Sequence, residues 1–193
     1  MRRAIFGILA VAVVCMMFVS PAAAQTERVS EVNIYFGKAN GGAEGVSFPR
    51  GTAFGVELEN QINDYLTMGF GFRHESTGVV RATGSEAHIS RTYFGGVTKF
   101  YPAKRGRVRP YGLFGMGLGG NKFHINGRSQ SQNSTMISLG CGVKFDLTKK
   151  WSIGPEWTLA YSGGARDYYG NKVGGGVTSK ALWFGVSYNL SAQ

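Results

Sequence analysis

The chain has 193 residues, 30 of them Gly and only 5 Pro, with 43% hydrophobic, 13% aromatic and 17% charged side chains. Glycine stands at about twice its usual ~7% share, but without the every-third-residue spacing of collagen, and the apolar content excludes a disordered chain. A formal charge of +10, a mean hydropathy of −0.09 and a single long apolar run exclude a bundle of membrane helices. They leave open a membrane protein built of strands.

The apolar run comes first. Met1-Arg2-Arg3 is a positive start, Ala4 to Val19 is apolar, and Ser20-Pro21-Ala22-Ala23-Ala24 supplies small residues before Gln25. This is the layout of a cleaved secretory leader, and its apolar stretch is shorter than the ~20 residues of a spanning helix. The expected organisation is therefore a signal peptide over 1–24 and one domain over 25–193. Cys15 lacks the small preceding residue of a lipoprotein site. The remaining cysteine, Cys141, has no partner for an internal disulfide.

Beyond residue 25 the dominant period is two. Eight strands are predicted near 28–38, 52–62, 65–74, 88–101, 109–119, 134–147, 151–161 and 180–190. In the sixth, Ile137, Leu139, Cys141, Val143, Phe145 and Leu147 alternate with Met136, Ser138, Gly140, Gly142, Lys144 and Asp146. The last alternates Leu182, Phe184, Val186, Tyr188 and Leu190 with smaller residues. In the fourth, the apolar phase is read as Ile89, Tyr93, Val97 and Tyr101, which leaves His88 and Ser90 in the inward phase.

Connections alternate in length. Those near 38–51, 75–87, 120–133 and 162–180 are long and polar, whereas those near 63–64, 103–108 and 148–150 are short. An all-β, eight-stranded antiparallel up-and-down transmembrane barrel gives that alternation, with short turns at one rim and long loops at the other. A soluble barrel would carry a charged exterior; here the polar phase is mostly Gly, Ser, Thr and Ala, which suits a narrow lumen. Tyr101, Trp151, Tyr161 and Tyr188 near strand ends suit interfacial girdles.

Lys99-Phe100-Tyr101-Pro102, a basic turn, and Val108-Arg109-Pro110-Tyr111-Gly112 with Gly115-Met116-Gly117 resemble the strand-turn-strand hallmark of the small outer-membrane β-barrel family, of the OmpA-barrel, OmpX and opacity-protein type. The resemblance implies residence in a bacterial outer membrane and delivery by the barrel-assembly machinery. The final strand resembles that machinery's signal, with Leu190 in place of the usual terminal aromatic. Cell-wall tethering through a further domain is not expected.

By phase, Glu31, Glu57, Arg73, Lys144, Asp146 and Glu156 point into the barrel. Charges in so narrow an interior must be paired, and a structural plug is favoured over an ion path. Gly115 to Gly120 matches G-x-G-x-x-G in letters, but no helical period follows to bind a pyrophosphate. His74, His88 and His124 fall near the long-loop rim. An enzyme acting on lipid A would need a His and a Ser there, yet the His-x-Ser-Asn run of the deacylases is absent. No catalytic residue, cofactor or metal site is expected.

The positive charge is too scattered for nucleic acid. Lys104, Arg105, Arg107 and Arg109 cluster at one short turn, where phospholipid head groups would lie. Arg91, Lys122, Arg128, Arg166 and Lys180 fall near the opposite rim, facing lipopolysaccharide phosphates. The expected protein is a monomeric, non-enzymatic barrel serving envelope integrity and surface interaction through its loops. A narrow pore is the alternative, and a lipid A-modifying enzyme stands behind it.

Overall fold

Alternation of apolar and small polar residues resolves into nine antiparallel strands among the described residues of the computed structural model, which are 30–43, 46–82, 85–102, 106–163 and 176–191. The strands are β1 (Ser30–Ala43), β2 (Val46–Asn63), β3 (Leu66–Ser76), β4 (Val80–Ala82), β5 (Ser85–Phe100), β6 (Val108–Ile125), β7 (Arg128–Asp146), β8 (Trp151–Ser162) and β9 (Val177–Asn189). The expected leader lies outside the described residues.

Eight of these strands close a barrel in simple up-and-down order, with β1 paired to β9 and β3 paired to β5. The three-residue β4 stands apart, pairing only with the upper end of β5. Closure satisfies the backbone hydrogen bonds inside the membrane, which is why a strand-built span must be a ring. At the seam, Leu190 N donates to Ser30 O at 2.8 Å.

Alternation assigns the two faces without ambiguity. Phe36, Leu58, Phe94, Phe114, Leu118, Leu139, Leu182 and Phe184 are exposed outward. Inside, Asn33, Glu57, Lys99, Glu156 and Trp183 are among the most deeply buried side chains. An apolar exterior around a polar interior is the inverse of a soluble domain and fits a lipid surrounding.

The strand pattern differs from the sequence reading in two ways. Segments read as long loops are in large part sheet. The β6–β7 pairing runs unbroken from Val108↔Phe145 to Ile125↔Arg128, turning on Asn126 (φ 50°) and Gly127 (φ 77°). Asn-Gly supplies the two left-handed residues of a type I′ turn, so the ladder continues beyond the apolar band with polar side chains on its outer face.

The second difference is the phase of β5. Ile89, Tyr93, Val97 and Tyr101 are buried inside, whereas Phe94 and Phe100 face outward. His88 and Ser90 consequently sit on the outer face, and Tyr101 belongs to the lumen instead of a girdle. Arg91 and Arg109 likewise lie in the barrel, where each pairs with a carboxylate, and not among the rim cations. Lys104, Arg105 and Arg166 lie outside the described residues.

Candidate functional site

The lumen holds three groups of charged side chains along its length, arranged by the pleat of β1, β2, β3, β5, β6, β7 and β8. The central group joins Glu57 and Glu59 of β2, Arg73 of β3, Lys99 of β5 and Glu156 of β8. Arg73 Nε donates to Glu57 Oε1 at 2.8 Å, and its Nη2 donates to Glu156 Oε1 at 2.6 Å. Lys99 Nζ donates to Tyr35 OH at 2.6 Å, to Glu57 Oε2 at 3.0 Å and to a Glu59 oxygen. Tyr111 OH closes the ring by donating to Glu156 Oε2 at 2.9 Å.

Aromatic faces wrap these cations. The Arg73 guanidinium lies 5.0 Å from the Trp183 ring centre and 5.2 Å from that of Tyr35. Lys99 Nζ lies 5.2 Å from the rings of both Tyr35 and Tyr111. A cation stripped of water is thus met by carboxylates on one side and by ring quadrupoles on the other.

Toward the short-turn rim, Lys144 pairs with Glu31, and Arg109 donates to Asp146 at 2.8 Å while standing 3.5 Å from Glu31. Toward the long-loop rim, Arg91 donates to Glu75 Oε2 at 2.6 Å, and Ser179 donates to the same oxygen. Of the residues singled out in the sequence, the structure brings Glu57, Arg73 and Glu156 together in the central group, and Glu31, Lys144 and Asp146 together in the lower one. Lys99, Arg109, Glu59, Glu75 and Arg91 complete the groups; Arg109 and Arg91 were expected at the rims, and the other three had no assigned role.

The lumen leaves little free space. Between Arg73, Arg91, Tyr93 and Met136 lies a cavity of about 10 Å³, at the lower limit for a single water. Phe48, Ile89 and Val177 form an apolar cluster at the long-loop mouth, with Phe123 against it. In place of a phosphate cradle, Gly115, Gly117 and Gly119 line a strand beside Tyr93. A Cβ at Gly117 would sit 2.3 Å from Phe94 O.

The three histidines stand on the outer face. His74 Nδ1 lies 3.0 Å from Thr92 Oγ1. His88 and His124 are direct cross-strand partners on β5 and β6, their rings stacked 4.1 Å apart and 7° from parallel. Local desolvation, then the neighbouring His88 and Lys122, hold the His124 imidazole below its ordinary pKa. Among the described residues, no group of three or more His, Cys, Asp or Glu is placed to hold a metal ion.

A closed ring of strands, apolar outside and ion-paired inside, defines a transmembrane β-barrel protein of the outer membrane. The family model described as outer membrane protein β-barrel domain matches residues 8–189, and the chain belongs to that family. The barrel is similar to Neisserial surface protein A, with a TM-score of 0.63 at 16% identity over 86% of this chain and 98% of that one. It is also similar to Ail of Yersinia pestis in complex with the heparin analogue sucrose octasulfate (TM-score 0.53, 18% identity, 86% and 100% covered). OprG of Pseudomonas aeruginosa gives a TM-score of 0.50 at 14% identity, with 88% and 100% covered. At such identities the likeness is one of fold. No curated protein sequence matches the chain.

Proposed function

We propose that this barrel is non-enzymatic and non-conducting, and that it serves envelope integrity and surface interaction through its long-loop rim. The observation that carries the reading is the packing of the lumen: Arg73, Lys99 and Trp183 are buried there among carboxylates, hydroxyls and rings, beside a cavity of only about 10 Å³. The charged groups then act as an internal plug that fixes the barrel, and the outer rim is what remains to meet a partner.

Three cations support a lipopolysaccharide contact as part of this reading. Lys38 and Lys180 are exposed on the outer face of β1 and β9, and Arg50 is exposed where the β1–β2 register breaks. They stand just beyond the apolar Phe36, Phe54 and Leu182, at the height where lipid phosphates would meet them. A sulfated sugar such as the sucrose octasulfate in the Ail complex would suit the same charges. Delivery would use a leader cleaved after Ala24 and the barrel-assembly machinery, and the barrel would act as a monomer.

The test is to shorten the rim segments at 42–47, 77–86, 123–130 and 163–176 to tight turns, which spares Glu75, Asn121 and Ser179 in the lumen. Folding is verified by heat-modifiable migration, and the cells are assayed for adhesion, serum resistance and detergent sensitivity. Loss of these properties with an intact barrel supports the reading; unchanged cells overturn it. Steady ion current from the wild-type protein in a planar bilayer would make the narrow pore the better account.

A further inference from the structure

The outer face of the tall β5–β6–β7 wall carries a feature that a lumen plug does not need. His88 and His124 face each other across adjacent strands, with ring centres 4.1 Å apart and planes within 7°. His124 is further oriented from β7, its Nδ1 lying 2.9 Å from Ser129 Oγ. When Nδ1–H donates to that hydroxyl, Nε2 presents its lone pair away from the serine. In that tautomer the serine would act as the outer partner that orients a metal-ligating imidazole.

From this geometry we propose that His88 and His124 form a surface site for a divalent transition-metal ion of the zinc, nickel or copper class. Two metal–nitrogen bonds of about 2.0–2.1 Å at the tetrahedral angle need nitrogens about 3.3 Å apart. In the stacked rings, with centres 4.1 Å apart, the in-plane lone pairs run side by side, so the two side chains must turn to aim them at one ion while the strand register holds the backbones. Imidazole donors select these ions over magnesium and calcium, which take oxygen ligands.

The surroundings agree with an open site. Both rings are partly exposed, Glu86 stands two residues from His88 on the same face, and Lys122 lies two residues from His124 on the barrel side. Two protein nitrogens leave the other positions to water or to a donor from outside. The site would therefore capture and exchange an ion at the cell surface.

The chain contains three histidines, which makes the test clean. Tag-free protein folded in detergent, carrying Cys141→Ser to remove the one described thiol, is titrated with zinc chloride by calorimetry. It is then loaded with copper(II) for electron paramagnetic resonance. One equivalent of zinc and a copper spectrum split by two nitrogens are expected. His88→Gln or His124→Gln should weaken zinc binding at least about tenfold while heat-modifiable migration stays unchanged. His74→Gln should leave binding as it was. Absence of binding in the parent protein, binding indifferent to both stacked histidines, or an equal loss with His74→Gln would overturn the proposal.

Discussion

Lys99 Nζ lies 3.0 Å from Glu57 Oε2, and neither side chain exposes any surface. Lys99 also binds Glu59 and stands 3.8 Å from Glu156, so one ammonium is shared by three carboxylates. Removing one partner of a buried ionic network costs about 3–5 kcal/mol, because the charges left behind are neither hydrated nor paired. Lys99→Met is expected to destabilise the barrel by that amount in urea titrations of vesicle-inserted protein. Glu59→Gln in the same background should recover part of the loss. A penalty under about 1 kcal/mol for Lys99→Met would mean that the network does not hold the barrel.

The plug can also be tested where it is thickest. Trp183 Nε1 donates to Thr158 Oγ1 at 2.8 Å, and its ring meets Tyr35 edge-on with centres 6.4 Å apart. Arg73→Ala with Trp183→Ala removes two large side chains from that level of the lumen. The double variant is expected to pass steady current in planar bilayers, whereas the wild type passes none.

Close approach of backbones sets a third expectation. A Cβ on Gly154 would lie 1.7 Å from Val143 O, but one on Gly112 would meet nothing within 4 Å. Gly154→Ala must push β8 away from β7, at a cost of about 1–3 kcal/mol by analogy with overpacked cores. Gly112→Ala should change stability by less than about 0.5 kcal/mol. Parallel unfolding of the two variants distinguishes steric need from a general preference for glycine.

Depth in the membrane supplies the fourth. Val186 sits midway along the outward row from Leu182 to Leu190 on and just beyond β9. Arginine at the midplane of a barrel's lipid face costs about 2–4 kcal/mol, falling to about 0–1 near an interface. Val186→Arg should therefore be clearly less stable than Leu190→Arg, and equal penalties would contradict the outward row as a lipid face.

Seven of the barrel strands could be phased from the sequence because each puts aliphatic or Phe residues on one side and small or charged residues on the other. β5 misled, since its inward row combines Ile89, Tyr93, Val97 and Tyr101 with Arg91 and Lys99. Apolarity alone made that row look lipid-facing. The deciding signal was present in the two cations, which can face the lumen but are costly against lipid. Reading charge before apolar count would have found Lys99 and Arg91, and with them the hub of the central group. The same rule applied to β2 would have added Glu59 to Glu57. The partners themselves were beyond reach, because Lys144 and Glu31 are 113 residues apart and only the barrel's register brings them together. The Asn126-Gly127 turn was legible, but its polar flanks resembled a loop.

The pairing of β1 with β9, from Glu31↔Asn189 to Gly42↔Thr178, has a consequence in time. Contacts between the two ends of a chain carry the largest loop-closure entropy and slow the search for the native pairing. The amino-terminal strand must keep an open edge until the carboxy-terminal strand has emerged and crossed to it. An edge left waiting in water invites pairing with other chains. The finished ring has no such edge, so the hazard is confined to the interval before β1 meets β9.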